Sequence, residues 1–355
     1  MKKIGIICGG KSAEHEVSLQ SARNIFEALN REIYEPILIG IDKNGQWHLN
    51  DAPWLLEQSE QYTGDLVTLI PQHAGTLIQP KTFKDEQTVD VIFPILHGPF
   101  GEDGTVQGLL KLADIPFVGT SVLGSAISMD KDVMKRLLHE ADIPIGKFFV
   151  LYAHQRIPSF SDTVEKLALP FFVKPANMGS SVGVSKVHEE REYLSAVSKA
   201  LCYDSKVLLE ECIVGREIEC AILGNEAPQA SLPGEILCSH EFYSYEAKYR
   251  DEHGAVLAIP ADLDASTVTA VQELALKTFQ TLCCEGLARV DFFIKPDGAI
   301  IVNEINTMPG FTTMSMYPKL WEASGISYSD LIHRLINLAI ERYTREKTLK
   351  TSYES

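Results

Sequence analysis

The segment that most constrains the fold is RVDFFIKPDGAIIVNEIN, residues 289–306, in which two apolar runs flank Pro296-Asp297-Gly298. Asp-Gly between alternating apolar residues is typical of a tight turn that joins antiparallel strands. We therefore predict a β-hairpin with Asp297 and Gly298 as a two-residue turn. Its apolar face would comprise Val290, Phe292, Ile294, Ile301 and Ile305.

Four polar residues lie within the same two strands. With this turn, Asp291 faces Glu304 and Arg289 faces Asn306, and all four side chains share one face because side chains alternate along a strand. Directly opposed Cβ atoms lie about 5 Å apart, so the two carboxylates repel each other unless a cation lies between them. Oxygen ligands suit Mg²⁺ or Mn²⁺. The hairpin is a candidate metal site, although a surface hairpin with a solvated polar face and an Arg–carboxylate pair explains the same pattern.

Length and composition indicate an ordinary globular protein. A chain of 355 residues is long enough for two or three domains, and 45% hydrophobic and 23% charged residues are typical of such proteins. A formal net charge of −16 repels nucleic acid and anionic membranes, so a phosphate-bearing ligand requires a local cationic pocket. The first apolar run is too short for a signal peptide, and no stretch is suited to span a bilayer. We therefore expect a cytoplasmic enzyme without a nucleic-acid or membrane partner.

The seven cysteines are scattered along the chain. They show no C-x-x-C spacing, and their odd number argues against a disulfide framework. Reduced and mostly buried thiols are the expected state.

Strands alternate with helices in the first third of the chain, which predicts a parallel sheet with ligand loops at the carboxyl ends of its strands. The predicted strands are residues 3–8, 34–42, 89–98 and 116–119. One predicted helix follows Gly9-Gly10 and ends near Ala28, and a second spans 104–114. Residues 45–88 show no regular pattern and are interpreted as an irregular insertion without chemistry.

Two further units follow. The predicted elements of the second are a helix at 128–142 with Asp130 or Ser128 near its cap, strands at 148–152, 169–176, 183–187 and 206–213, and a helix at 189–200. The third contains the hairpin and ends in a helix at 329–347. The predicted fold is α/β, in part α+β, with domains at 1–127, 128–214 and 215–355.

Three lysines lie near loops that could bind phosphate. Lys174 ends a predicted strand and precedes a loop of small residues, 176–183, whose backbone N–H groups can approach an anion closely. Lys131 lies early in a predicted helix, and Lys248 and Tyr249 lie in a polar segment. Each alone fits a solvated loop equally well. Together with the hairpin, the three lysines favour a phosphate site.

Two more loops at strand ends carry ionisable side chains. Glu14, in GGKSAEHEVS, lies at the start of the first helix, where a carboxylate is a favourable dipole partner or could receive a substrate ammonium. His97 begins the glycine-rich HGPFGEDGT and is a candidate substrate contact or a hydrogen-bonded structural histidine.

Taken together, these residues resemble the D-alanine–D-alanine ligase family of the ATP-grasp superfamily. The resemblance covers nearly the whole chain through GGKSAEHEVS, HGPFGEDGTVQGLL, SMDK, KPANMGSSVGVSKV, YEAKY, RVDFF and NEINTMPGFTTMS. It implies an N-terminal parallel α/β domain, a central α+β lid domain and a C-terminal α+β domain, with ATP between the last two.

The resemblance also implies which residues bind ATP. The lysines that would hold phosphates are Lys131, Lys174 and Lys248, under a loop that runs from Gly179 through Ser181 to Val182. The residues that would surround adenine and ribose are Glu210, Glu211, Ile213 and Glu217. Some relatives carry Lys at position 211, so only a backbone contact is implied there.

The remaining implied residues bind amino acids and metal. Glu14 would bind the ammonium of the first D-alanine, linked by hydrogen bonds to Ser180 and Tyr249. The implied oxyanion donors are Arg289 and the Gly310 N–H, and the implied sites for the second carboxylate are Ser315 and Met316, the latter commonly Leu. The implied ligands of two Mg²⁺ (or Mn²⁺) ions are Asp291, Glu304 and Asn306.

The activity implied is ATP-dependent joining of two D-alanines through a D-alanyl phosphate, for peptidoglycan synthesis. The alternatives within the family are D-alanine–D-lactate and D-alanine–D-serine ligation, and a tyrosine at position 249 accompanies dipeptide synthesis. A different ATP-grasp ligase would not be expected to share SAEHEVS or YEAKY, and a binding module would not consume ATP. A homodimer is the family expectation.

Overall fold

The structure is a computed structural model, and it describes residues 1–50, 64–72, 74–80, 84–238, 255–350 and 352–353. Within these residues the chain forms three larger sheets and one small sheet, with helices packed against them. The fold is the mixed α/β architecture that the sequence predicts. None of the helices in the described residues has both the length and the apolarity needed to cross a membrane.

The first third of the chain builds a sheet whose centre is parallel. Its elements are β1 (Lys2–Gly9), α1 (His15–Ala28), β2 (Tyr34–Ile41), β3 (Trp47–Asn50), β4 (Asp65–Leu66), β5 (Thr68–Leu69), β6 (Thr76–Gln79), β7 (Lys84–Thr88), β8 (Val91–Pro94), α2 (Thr105–Leu112) and α3 (Val122–Met129). The sheet order is β4-β3-β2-β1-β8, in which β1 pairs in parallel with β2 and β8. β3 pairs antiparallel with β2, and the edge strand β4 pairs antiparallel with β3, which the prediction of a parallel sheet missed.

Two local predictions for this region are wrong. The described parts of 45–88 are not irregular, because β3 and β4 extend the large sheet and β5-β6-β7 form a small one. These strands are only two to five residues long and carry many polar residues, so they show little alternation. The strand predicted at 116–119 is reduced to one isolated bridge, between Ile92 and Phe117.

The second sheet is antiparallel and follows α4. The elements are α4 (Lys131–Glu140), β9 (Phe148–Tyr152), α5 (Phe160–Leu167), β10 (Phe171–Pro175), β11 (Ser185–Val187), α6 (Glu190–Leu201) and β12 (Lys206–Glu211), with sheet order β11-β10-β12-β9. Asp130 caps α4 by accepting hydrogen bonds from the N–H groups of Asp132 and Val133, both at 3.1 Å. Ser128 belongs to α3 instead, so the single helix predicted at 128–142 begins three residues later.

The third sheet carries the hairpin. Its elements are β13 (Arg216–Gly224), β14 (Gln229–Ala230), β15 (Gly234–Cys238), β16 (Ala255–Ala258), α7 (Ala265–Thr281), β17 (Gly286–Ile294), β18 (Ile300–Asn306), α8 (Met316–Ala323) and α9 (Tyr328–Lys347). The order is β16-β15-β13-β17-β18, and β14 pairs with β13. Of the two hairpin strands, β17 thus lies beside β13 and β18 lies on the other side of β17.

The hairpin has the predicted pairing at its functional end but a different turn. Asp291 pairs with Glu304 and Arg289 with Asn306, as predicted. The turn is not the two-residue turn that was predicted, because Lys295 bonds Ala299 across three residues, 296–298. Gly298 has φ +86°, which suits the left-handed position of a three-residue loop.

A bulge in β18 restores the pairing. Phe292 pairs with Val302 whereas Asp291 pairs with Glu304, so Asn303 is the extra residue. Val302 therefore joins the buried face, fully buried, in place of the predicted Ile301.

The first and last parts of the chain share a hydrophobic core. Phe93 of β8 packs edge-on against Phe311 with ring centroids 5.8 Å apart, and both belong to one cluster with residues of α1, α8 and α9. Arg342 of α9 donates a hydrogen bond to the Phe117 carbonyl at 2.8 Å and another to the Gly119 carbonyl. This packing fixes the start of α1 relative to the hairpin.

The expectation of mostly buried thiols is met by Cys8, Cys220 and Cys284, whereas Cys202 and Cys283 are exposed and Cys212 is partly buried. In the described part of the chain, free thiols are found at Cys8, Cys202, Cys212, Cys220, Cys283 and Cys284. Burial raises the pKa of Cys8, Cys220 and Cys284 to about 12, so these three stay protonated near neutral pH.

Candidate active site

Two adjoining cavities lie where the three larger sheets meet. The first lies between β10, β12 and the hairpin, and the second lies between the start of α1, the loop after β8 and residues 308–316. Gly179, Ser180 and Glu304 line both cavities. A group bound in one cavity therefore lies next to a group bound in the other.

Lys174 and Glu210 line the first cavity and form an ion pair with each other. They project from the neighbouring strands β10 and β12, and the Lys174 ammonium pairs with the Glu210 carboxylate. Lys135 of α4, which is fully buried, pairs with the same carboxylate. Burial alone would raise the pKa of Glu210, but the two ammonium groups outweigh it and lower the pKa. Burial lowers the pKa of Lys135, so the positive group that lines the cavity at this point is Lys174.

Lys131 lies at the first turn of α4, between the small-residue loop and the hairpin. Its Nζ donates a hydrogen bond to the Met178 carbonyl at 2.9 Å and lies 3.4 Å from Glu304 Oε2. The side chain is mostly buried. Lys131 thus links the loop to one of the predicted metal ligands.

The small-residue loop folds back over the junction of the cavities. Ser180 and Ser181 have φ values of +50° and +59°, a conformation that costs a non-glycine residue free energy. The Ser180 hydroxyl donates a hydrogen bond to Glu14 Oε1. Val182 donates its N–H to the Gly179 carbonyl at 3.1 Å and is the one predicted loop residue that lines neither cavity.

The other predicted nucleotide residues also lie around the first cavity, which they line together with Phe172: Glu211, Ile213 and Glu217. Glu211 Oε1 accepts a hydrogen bond from the Lys147 N–H at 2.7 Å, so its side chain is held by the backbone. This leaves the Glu211 main chain as the part expected to face a base.

A row of three carboxylates crosses the third sheet. Glu219, Asp291 and Glu304 are in register on β13, β17 and β18. The Arg289 guanidinium offsets part of the charge of the row: Nε lies 2.7 Å from Asp291 Oδ1 and 2.8 Å from Glu219 Oε2, and Nη2 lies 2.7 Å from Asp291 Oδ2. Burial lowers the pKa of Arg289, but Asp291 and then Glu219 raise it well above its ordinary value. Cations therefore separate these carboxylates, as the hairpin geometry requires.

Asn306 completes the polar face of the hairpin. Its Nδ2 donates a hydrogen bond to Asp291 Oδ2 at 2.9 Å. In the described ranges, no group of three or more His, Cys, Asp or Glu side chains is arranged to hold a metal ion. The candidate metal ligands are therefore the carboxylates of Asp291 and Glu304 and the amide oxygen of Asn306. Oxygen atoms of this kind suit Mg²⁺ and Mn²⁺.

Glu14, His97 and Glu102 surround one end of the second cavity. His97 Nδ1 donates to the Met308 carbonyl at 2.9 Å, which leaves Nε2 as the acceptor, and no described residue bonds it. Burial lowers the pKa of His97, against the charge of Glu14. Burial and then the charge of Glu14 raise the pKa of Glu102 to about 8, although Glu102 accepts the Gly98 N–H at 2.8 Å.

We expect Glu102→Gln to remove part of the pH dependence of stability. Between pH 4.5 and about 8 the folded Glu102 binds a proton that the unfolded residue has released. The contribution of Glu102 to the free energy of unfolding is therefore fully present below pH 4.5. It is lost as the pH rises to about 8, by up to about 1.4 kcal/mol per pH unit. Urea unfolding at pH 5, 6, 7 and 8 measures this slope, and a glutamine variant with the parental slope would contradict the assignment.

The far end of the second cavity is built by residues 308–316. Gly310, Ser315 and Met316 line it together, as predicted. A Cβ at Gly310 would lie 2.7 Å from Ser315 Oγ, so only glycine fits without a shift. Ser315 Oγ in turn accepts the Thr312 N–H at 2.9 Å, which fixes the hydroxyl at the cavity wall. Lys248 and Tyr249 lie outside the described residues.

The sequence did not identify Lys135, Glu219 or Glu102 as site residues. Two of them carried a usable signal. Lys135 is four residues after Lys131 on one helix and so shares its face, and Glu219 is two residues after Glu217 on one strand. Glu102 gave no such signal, because its burial depends on packing of a loop against distant elements.

Known proteins match the chain along its whole length. The D-ala D-ala ligase C-terminus model matches residues 137–337, and the D-ala D-ala ligase N-terminus model matches residues 3–120. A D-alanine–D-alanine ligase of Oceanobacillus iheyensis is 54% identical over 363 residues, which covers 99% of this chain and 98% of that protein.

Solved structures show the same fold. The D-alanine-D-alanine ligase from Coxiella burnetii is 36% identical, with a TM-score of 0.86 and 98% of each chain covered. The VanG D-Ala:D-Ser ligase from Enterococcus faecalis is also 36% identical, with a TM-score of 0.85 over 95% of this chain and 99% of that one. Together with the two family models, these matches show that the chain belongs to the D-alanine–D-alanine ligase family.

Proposed function

We propose that the two adjoining cavities carry out the reaction of this family, the ATP-dependent joining of two D-alanines for peptidoglycan synthesis, with ATP in the first cavity and the amino acids in the second. The observation that carries this division is that Gly179, Ser180 and Glu304 line both cavities. A γ-phosphate at that junction lies beside a carboxylate in the second cavity. Phosphoryl transfer needs this proximity.

In the first cavity, Lys131 and Lys174 balance the charge of the ATP phosphates, and Lys248 is proposed to join them. The position of Lys131 and Lys174 in the lining of one cavity supports this assignment in a chain whose overall charge is −16. The proposed base and ribose contacts follow the lining of the cavity: Glu210, Glu211, Ile213 and Glu217. The loop of Gly179, Ser181 and Val182 covers the phosphates.

Asp291, Glu304 and Asn306 would hold two divalent ions, Mg²⁺ or Mn²⁺. The donor set fits, because its oxygens lie side by side on one face of the hairpin and are at present balanced by Arg289 and Lys131. Bound there, the ions would neutralise the charge that develops on the phosphoryl group during transfer.

In the second cavity, Glu14 binds the ammonium of the first D-alanine. The carboxylate of that D-alanine accepts the phosphoryl group to give D-alanyl phosphate. Ser180 fixes the orientation of Glu14 through its hydroxyl. The acyl phosphate reacts readily with water, so the loop that covers the junction has to exclude it. Tyr249 is proposed to join this hydrogen-bonded group, and His97 to contact the substrate through Nε2.

The second D-alanine attacks the acyl phosphate through its amine. Its carboxylate binds at Ser315 and Met316, at the other end of the same cavity. Attack generates a tetrahedral oxyanion, which Arg289 and the Gly310 N–H stabilise by donating hydrogen bonds. Collapse of this intermediate releases inorganic phosphate and leaves the dipeptide.

Phosphate release combined with product masses tests this assignment. With ATP, Mg²⁺ and D-alanine, we expect ADP, phosphate and D-alanyl-D-alanine in equal amounts. With D-alanine plus D-lactate or D-serine, the dipeptide of D-alanine should remain the main product. ATP consumption that does not respond to D-alanine would contradict the assignment.

We expect Tyr249→Phe to raise the use of D-lactate relative to D-alanine. Loss of the phenolic hydroxyl frees the Glu14–Ser180 group and reshapes the second subsite. Competition between the two acceptors, read by product mass, measures the ratio. An unchanged ratio would count against this assignment of Tyr249.

Three broader assignments complete the proposal. The domains are 1–127, 128–214 and 215–355, and each contains one of the larger sheets. The proposed location is cytoplasmic, where ATP is available. The proposed assembly is a homodimer, and light scattering coupled to gel filtration measures its mass.

A further inference from the structure

Glu219 is a buried carboxylate in the wall of the amino-acid cavity. It lies in β13, the strand next to the hairpin, and its side chain is almost fully enclosed, with 6% of the residue exposed. Burying a carboxylate is costly unless a cation or several hydrogen-bond donors compensate it. The compensation comes from Arg289, whose Nε lies 2.8 Å from Glu219 Oε2.

Arg289 is held from two strands at once. Asp291, on its own strand, accepts hydrogen bonds from Nε and Nη2 at 2.7 Å each, and Glu219 on β13 forms an ion pair with Nε at 2.8 Å. The residue directly opposite Arg289 on β13 is Ala221, which is too small to fill the space beside the guanidinium. The guanidinium therefore lies between two carboxylates rather than against one.

We propose that Glu219 is a positioning residue for ligation, which fixes the guanidinium of Arg289 in the orientation that an oxyanion requires. This inference rests on the proposed function of Arg289 as oxyanion donor. Asp291 is also a proposed metal ligand, so its oxygens serve two cations. Glu219 lies outside the metal set and can hold Arg289 irrespective of what Asp291 binds.

Glutamine at position 219 separates charge from shape. Glu219→Gln keeps the length of the side chain but removes the negative charge that forms the ion pair with the guanidinium, and charge-assisted contacts are about twice as strong as neutral ones. Misplacement of a catalytic group by about 1 Å can cost a hundredfold in rate. We therefore expect kcat for dipeptide formation to fall about tenfold to a hundredfold, with the KM for ATP within about twofold of the parent.

A double-mutant cycle with Arg289→Lys distinguishes positioning from direct substrate contact. If Glu219 acts through Arg289, adding Glu219→Gln to Arg289→Lys lowers kcat by less than about threefold, because the group that it positions is already altered. Full additivity of the two effects, or parental kcat in Glu219→Gln alone, overturns the inference. If Arg289→Lys itself keeps parental kcat, the proposed function of Arg289 fails instead.

Glu235 provides a matched control. It is buried in the same sheet on β15 and binds Arg216 Nε and Nη2 at 2.8 and 2.6 Å, but it lines neither of the two cavities. We expect Glu235→Gln to lower the melting temperature without changing kcat by more than about twofold.

A spectroscopic measurement that does not depend on activity completes the test. The Arg289 Nε–H signal in a ¹⁵N–¹H spectrum, identified by its loss in Arg289→Lys, should shift in Glu219→Gln and stay in place in Glu235→Gln. An Arg289 signal that is unmoved by Glu219→Gln overturns the inference.

Discussion

We expect Asp291→Asn to lower the rate of D-alanyl-D-alanine formation about a thousandfold, because metal-ion stabilisation of the transferring phosphate contributes several kcal/mol and each 1.4 kcal/mol is a factor of ten. The substitution keeps the size of the side chain but removes its charge. Asp291 faces Glu304 in the hairpin and is held by Arg289 on its own strand, so the loss affects the proposed metal site and the oxyanion donor together.

Steady-state phosphate release with ATP, Mg²⁺ and D-alanine measures this effect. The matched control is Asp297→Asn, which makes the same chemical change in the exposed turn of the same hairpin and should keep parental activity. Thermal unfolding of both variants shows whether the fold survives. A folded Asp291→Asn protein that works at the parental rate would refute the assignment of the metal site.

Arg289→Lys lowers kcat for ligation by about a hundredfold to a thousandfold, the usual cost of losing one oxyanion donor. Lysine preserves the positive charge that balances Glu219 and Asp291. It lacks the planar fork that lets one side chain bind two carboxylates and still present an N–H to the oxyanion.

The control for this prediction is Arg216→Lys. Arg216 lies in the same sheet and bonds the buried Glu235 through two of its nitrogens. Its kcat should stay within about twofold of the parent. Equal losses of kcat in the two variants would indicate a general effect on the sheet rather than the loss of an oxyanion donor.

The hairpin shows how far sequence reasoning reaches. Alternation and the Asp-Gly signal predicted the pairing of Asp291 with Glu304, and this pairing is confirmed. The turn that leads to this pairing differs from the predicted one. Its three residues shift the register by one residue, and the bulge at Asn303 shifts it back. Bulges depend on how neighbouring strands twist and pack, which a single strand's sequence does not encode.

Contacts between distant segments could not be derived from spacing. Glu14 and Ser180 are 166 residues apart, yet one hydrogen bond joins them across the two cavities. Their association was implied only by the family resemblance. Glu219 could not be recognised for a related reason, since its importance arises from the alignment of β13 beside β17.

The short strands between β2 and β8 show a different limit. Segments of two to five residues that carry many polar residues form strands only because a neighbouring strand offers backbone partners. Tertiary context of this kind outweighs local propensity, which is weak for polar strands. Of the long strands of the third sheet, the two hairpin strands were predicted from their apolar alternation, whereas β13 was not.

The central claim is that one face of the hairpin binds divalent ions beside the bound nucleotide. Anomalous scattering from crystals grown with Mn²⁺ and a non-hydrolysable ATP analogue tests it most directly. The account predicts strong anomalous peaks about 2.1 Å from side-chain oxygens of Asp291, Glu304 and Asn306, the distance typical of small divalent ions. Nucleotide bound in the first cavity without an anomalous peak at these three side chains would contradict it.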